Sequence, residues 1–128
     1  QLTDRTLLIT ADTIVWLDGR VYGKPLDKTD ARAMLHALSG KTHTVITGVS
    51  ITTIDKEVSF ATSTEVSFAL LTEEEIDYYV EKYSPLDKAG AYGIQEWIGY
   101  VGVTGLRGSY YNVMGLPIQR LYQELKKF

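Results

Sequence analysis

Residues 42–70 read THTVITGVSITTIDKEVSFATSTEVSFAL, two long runs (42–54 and 57–70) separated only by Asp55-Lys56. Threonine, valine, isoleucine and phenylalanine dominate both runs, and such side chains suit a pleated, half-buried surface. A two-residue join between two such runs predicts an antiparallel pair. Upstream, Ala31, Met34, Leu35 and Leu38 recur at i, i+3, i+4 and i+7, which predicts a helix over 28–38 stopped at Gly40. Further upstream, residues 6–17 (TLLITADTIVWL) form another strand, and both of its alternating faces are largely apolar. That pattern predicts a strand covered on both sides. Asp18-Gly19 is a hairpin signal, returning the chain through Arg20–Gly23 until Pro25 takes it out of the sheet.

Downstream, Thr72 followed by Glu75 has the form of a capping box, so a helix is expected to about Lys82 before Ser84-Pro85 breaks it. Residues 87–95 (DKAGAYGIQ) are glycine-rich and read as a loop or short helix. Residues 97–106 (WIGYVGVTGL) read as a strand thinned by glycines. A last helix follows Pro117, with Leu116, Leu121 and Leu125 on or near its apolar side. The expected fold is α/β: a twisted, mixed or largely antiparallel sheet flanked by helices.

Composition bounds the function. The chain has 128 residues, 45% hydrophobic and 23% charged, with net charge −3 and no cysteine. That is the size and make-up of one soluble globular domain. The acidic balance gives no footprint for DNA or RNA, while a few placed lysines suffice for a phosphorylated small molecule. Neither disulfides nor a thiolate metal site can form, which fits the cytoplasm. No apolar run is long enough to span a bilayer, and no signal peptide is apparent, so no membrane partner is expected.

Asp12 is the most informative residue. A carboxylate in an apolar strand is costly unless paired, hydrogen-bonded or metal-bound, so it is either a structural ion pair, a strand-end group near solvent, or part of a site. Lys24 is its natural partner. A two-residue turn at Asp18-Gly19 pairs Leu17 with Arg20 and puts Lys24 opposite Thr13, on the wrong face for Asp12. A three-residue loop pairs Leu17 with Val21 and sets Lys24 diagonal to Asp12; that longer loop is the expectation carried forward. On the residues alone, Lys24 also reads as a solvated lysine guarding a strand edge. In residues 87–95, Gly90 and Gly93 allow close backbone approach, Lys88 suits a phosphate, and Gln95 offers the donor and acceptor needed to read a pyrimidine edge. The same stretch also reads as a plain helix-to-strand connection. His36 and His43 read as ordinary helix and strand-end residues, and Glu73 to Glu75 as a favourable first helical turn.

Four segments together resemble the Maf family: Ala11-Asp12-Thr13; Gly23-Lys24-Pro25; Leu38-Ser39-Gly40 with His43 and Thr47-Gly48-Val49; and residues 85–95, from Pro85-Leu86-Asp87-Lys88 to Gly93-Ile94-Gln95. Gly108-Ser109-Tyr110, Asn112-Val113 and Gly115-Leu116-Pro117 match as well. The resemblance implies a fold related to the inosine-triphosphate pyrophosphatases. It also implies hydrolysis of nucleoside triphosphates to monophosphate and pyrophosphate with a divalent cation, Mg²⁺ or Mn²⁺. Asp12 falls at the catalytic acid position, as proton acceptor for the attacking water and a possible metal ligand. Lys24 and Lys88 match lysines near the triphosphate. Thr13 and Gln95 match positions linked to base choice and look like the dTTP/UTP group. A homodimer is expected by family analogy. The family begins with a Ser-Pro-Arg-Arg loop, a helix and a further acidic residue, so residues 1–128 are expected to be one Maf-like domain that is N-terminally incomplete. The competing expectations are a non-catalytic nucleotide-binding regulator linked to cell division, and the same reaction on methylated GTP or damaged nucleotides.

Overall fold

The computed structural model describes residues 6–128. Among these residues five strands form one antiparallel sheet in the order β2-β1-β3-β4-β5. They are β1 (Leu8–Leu17), β2 (Arg20–Tyr22), β3 (Thr42–Thr52), β4 (Glu57–Phe68) and β5 (Val103–Arg107). The helices are α1 (Lys28–Leu38), α2 (Glu73–Tyr83), α3 (Trp97–Gly102), α4 (Tyr110–Met114) and α5 (Ile118–Leu125), with a 3₁₀ turn at Ala89–Ala91.

The β3–β4 hairpin is the centre of the sheet. Thr42 pairs with Ser67 and Thr52 with Glu57, in unbroken register. Its buried positions alternate: His43, Val45, Thr47, Val49 and Ile51 on β3 face the same side as Thr64, Val66 and Phe68 on β4. The helices pack on that side. Ala31, Met34, Leu35 and Leu38 of α1 are buried, as the spacing predicted, together with Ile76, Tyr79 and Val80 of α2. Burying a leucine such as Leu35 contributes about 1.5–3 kcal/mol. A smaller cluster joins Val49 and Ile51 to Leu121, with Leu116 and Leu125 partly buried beside them. No helix among the described residues is long and apolar enough to cross a membrane.

Helix ends follow local chemistry. The Asp27 side chain accepts from Asp30 N at 2.8 Å and starts α1. At α2, Thr72 Oγ1 accepts from Glu75 N at 3.1 Å and Glu75 Oε1 accepts from Thr72 N at 2.8 Å, which is the expected capping box. Thr72→Ala should lower stability by about 1 kcal/mol. The check is a shifted denaturant midpoint with an unchanged slope; an unshifted midpoint would show that this cap contributes nothing.

Three expectations are corrected. First, β1 is not covered on both sides: Val15 and Leu17 are buried, but Leu8 and Trp16, on the opposite face, are exposed. The sheet is antiparallel, and the buried strand positions share one face, so the second apolar face of β1 lies outside that core. Second, the β1–β2 turn has two residues, pairing Leu17 with Arg20, not three. Asp18 and Gly19 have φ of 50° and 81°, the left-handed pair that a tight hairpin turn requires. Third, residues 97–106 are helix first and strand second. Gly99 lets α3 close against the preceding loop: a Cβ there would lie 1.8 Å from the Ile94 carbonyl oxygen. Two of the glycines that thinned the strand pattern, Gly99 and Gly102, therefore belong to a helical turn, while Gly105 lies in β5.

Candidate functional site

Lys24 reaches the site by leaving the ladder. β2 ends at Tyr22, so the register that would set Lys24 opposite Thr13 no longer governs it. The carbonyl of Gly23 instead accepts from Gly90 N at 3.1 Å. Gly90 has φ of 71°, and a Cβ there would lie 2.8 Å from Val15 Cγ2. Only glycine allows that conformation so close to β1. This contact carries the 88–95 segment onto the start of the Lys24 segment.

The segment is also held from behind. Tyr79 Oη accepts from Gly93 N at 3.0 Å and donates to Glu96 Oε1 at 2.5 Å. Burial and that carboxylate push the Tyr79 phenol up, so it stays protonated. Tyr92 Oη lies 2.6 Å from His43 Nε2, inside a cluster with Phe68. His43 is thus a core residue, not an ordinary strand end. Burial lowers its pKa to about 4, so the ring is neutral at physiological pH.

The result is a cleft of about 230 Å³ that brings together Asp12, Thr13, Lys24, Lys88 and Gln95. All five residues singled out from the sequence line it. Asp12 is exposed and makes no hydrogen bond or ion pair among the described residues. Exposure removes the burial cost that the strand pattern implied. Alternation places Asp12 and Thr13 on opposite faces of β1. β2 pairs only with Val15 to Leu17, so Asp12 sits where β1 has no neighbour on that side among the described residues. It borders the cleft from this open margin.

Lys88 Nζ lies 3.2 Å from Asp87 Oδ1 and 3.9 Å from Glu96 Oε2. The hydrogen bond from Lys88, with a smaller contribution from the Lys24 charge, holds the Asp87 carboxyl below its ordinary range. Gly93 leaves room for the Lys88 stem, since a Cβ there would lie 2.8 Å from Lys88 Cε. Asp87, Tyr92, Met114 and Gly115 also line the cleft and were given no role from sequence. The signal for Asp87 was its place directly before Lys88. The signal for Met114 and Gly115 was the matched tail, whose path back to β1 no local pattern discloses.

A profile of Maf-like proteins matches residues 1–128. The chain belongs to the Maf-like protein family. A dTTP/UTP pyrophosphatase of Phocaeicola vulgatus is 68% identical over 121 residues, covering 94% of this chain and 63% of that protein. The Maf-like chain is also 62% identical over 127 residues to a dTTP/UTP pyrophosphatase of Parabacteroides distasonis, covering 99% of the chain and 66% of that protein. For a dTTP/UTP pyrophosphatase of Porphyromonas gingivalis the identity is 57% over 128 residues, covering 100% and 64%. The Maf-like chain therefore spans just under two thirds of the length of these relatives.

Proposed function

We propose that this chain carries the active cleft of a nucleoside triphosphate pyrophosphatase acting on dTTP and UTP. The observation that carries the reading is the meeting, in one cleft, of a carboxylate with no partner among the described residues (Asp12), two ammonium groups (Lys24 and Lys88) and two hydrogen-bonding side chains (Thr13 and Gln95). Relatives 57–68% identical bear the name dTTP/UTP pyrophosphatase, which supports the choice of substrate.

In this reading the triphosphate lies across Lys24 and Lys88, and the base meets Thr13 and Gln95. Asp12 accepts a proton from a water that attacks the α-phosphorus. A P–O bond forms to that oxygen, the bond between the α-phosphorus and its bridging oxygen breaks, and pyrophosphate leaves with the electron pair. A carboxylate with no partner among the described residues is free to take the proton, and the two lysines offset charge on the leaving group.

Among the described residues no three His, Asp or Glu side chains converge on a metal site. Asp12 and Asp87 are the carboxylates that line the cleft. One or two carboxylates completed by substrate phosphates and water is the ordinary donor set for Mg²⁺, so these residues fit the expected cation, with Asp12 as its ligand. When bound, the cation supplies further charge neutralisation at the phosphates.

The test is pyrophosphate release from a panel of nucleoside triphosphates with Mg²⁺ or Mn²⁺. Selective turnover of dTTP and UTP is expected. Turnover confined to other nucleotides, or none with any, would sink the reading.

A further inference from the structure

Thr13 Oγ1 lies 2.9 Å from Thr47 Oγ1, across the β1–β3 ladder in which the two residues pair. Thr47 is fully buried, and its Oγ1 lies 3.1 Å from the carbonyl oxygen of Asn112. A hydroxyl has one hydrogen to give, and a carbonyl can only accept. Thr47 therefore donates to Asn112, and the hydrogen in the Thr13–Thr47 contact must come from Thr13. The reverse order would turn lone pairs of Thr47 and Asn112 toward each other in a buried place.

Asn112 cannot relax away. The two hydrogens of its Nδ2 are shared among three acceptors, Thr64 Oγ1 at 2.8 Å, Thr62 O at 3.0 Å and Val45 O at 3.3 Å. The opposite amide orientation would aim its oxygen at two carbonyls, so the assignment is settled by the partners. Thr64 in turn accepts from Ser109 N at 3.1 Å, and Gly115 N donates to Asn112 O at 3.0 Å. α4 is thus held to the sheet at its N-cap, Ser109, and through Asn112 within it.

We infer that Thr47 and Asn112 are positioning residues that leave Thr13 with only lone pairs to offer the cleft, and so select a base whose ring nitrogen carries a hydrogen. Uracil and thymine present such an N–H; cytosine presents a bare lone pair at the same atom. Gln95 cannot make this choice alone. It is exposed, with no hydrogen bond among the described residues, so its amide can turn to serve either base. The inference rests on the proposed reading that a pyrimidine nucleotide occupies the cleft with its base against Thr13.

The experiment measures kcat/KM for UTP and CTP, and affinity for their non-hydrolysable α,β-imido analogues, in the wild type, Thr47→Val and Thr47→Ser. The wild type should favour uracil by about tenfold or more, the equivalent of one buried hydrogen bond. Thr47→Val frees the Thr13 hydroxyl to donate to cytosine and should shrink the preference about tenfold. Thr47→Ser restores the relay and should restore the preference. A merely structural role would slow both nucleotides alike and leave their ratio unmoved. Thr47→Ala gives the same readout if valine does not fold.

A wild type without preference, or a Thr47→Val ratio equal to that of the wild type, overturns the inference and leaves the proposed reaction standing. Preferential binding of the uracil analogue, lost in Thr47→Val but without turnover in any variant, supports the relay and overturns the reaction. Binding of neither analogue overturns both.

Discussion

Asp12→Asn is expected to lower kcat for the proposed hydrolysis of UTP and dTTP by about a thousandfold, with KM at saturating cation not raised and the fold intact. Asparagine keeps the shape of the side chain and its hydrogen-bonding oxygen but cannot take a proton from water. The loss corresponds to about 4 kcal/mol of transition-state stabilisation. At saturating cation, which Asp87 and the substrate phosphates would still hold, substrate binding should not suffer, because the substitution removes a negative charge from a cleft that would hold a triphosphate. Stability should stay within about 0.5 kcal/mol, since Asp12 is exposed and holds nothing in place. The measurement is steady-state kinetics beside a thermal melt. Retention of a tenth or more of kcat would remove Asp12 from the role of proton acceptor. A lost melting transition would instead expose a structural role that no contact in the fold explains.

The split between kcat and KM separates Asp12 from its neighbours. Lys24 and Lys88 would meet charge already present on the bound triphosphate as well as charge that develops on the leaving group. At saturating cation, Asp12 would act only when the water is deprotonated. An effect confined to kcat therefore marks the acid-base group, and an effect shared with KM marks the lysines.

The central sheet was legible because its signal is local. The runs 42–54 and 57–70 carry β-branched residues at almost every second position, and the strands stand at Thr42–Thr52 and Glu57–Phe68. The helix over 28–38 was equally plain from Ala31, Met34, Leu35 and Leu38. The turn at Asp18-Gly19 is readable too, yet the dipeptide leaves its loop length open, and only the longer loop sets Lys24 beside Asp12 within the ladder. The molecule solves that problem differently. Tyr22 ends the ladder, and the Gly90 contact with Gly23 brings the lysine in. No spacing between residues 23 and 90 could disclose this, since it depends on a left-handed glycine lying against Val15. The Asn112 anchor was hidden for the same reason: its three acceptors lie 48 to 67 residues away in the chain. His43 was missed because a histidine near a strand end looks solvated until Phe68 and Tyr92 close over it.

His43 makes the protein acid-labile in a definite window. The ring is 1% exposed, packed edge-on against Phe68 and Tyr92 at 5.3 Å from each. Nε2 has Tyr92 Oη as partner, and Nδ1 has none among the described residues. Either neutral tautomer leaves one ring nitrogen unpaired, and the charged form would leave a buried N–H⁺ with no acceptor. The folded pKa falls from 6.5 to about 4. The unfolded chain therefore binds a proton between those values while the folded chain does not, and stability rises with pH across that interval. The contribution is whole above about pH 6.5, falls by about 2 kcal/mol by pH 5, and is lost to the extent of about 3 kcal/mol near pH 4. Denaturant unfolding at pH 7.5 and pH 5 should show this loss in the wild type. His43→Leu will be less stable or more stable at pH 7.5 according to how it packs, but it removes the titrating group. Its loss between the two pH values should be smaller than that of the wild type by about 2 kcal/mol. Carboxylates held below their ordinary range, such as Asp87 and Glu81, titrate in both proteins and cancel in the difference. Equal losses in the two proteins would mean that the ring reaches water, or a partner, when it is protonated. Tyr92 lines the cleft, so a departure of the charged ring from its pocket would also loosen the segment that carries Lys88 and Gln95.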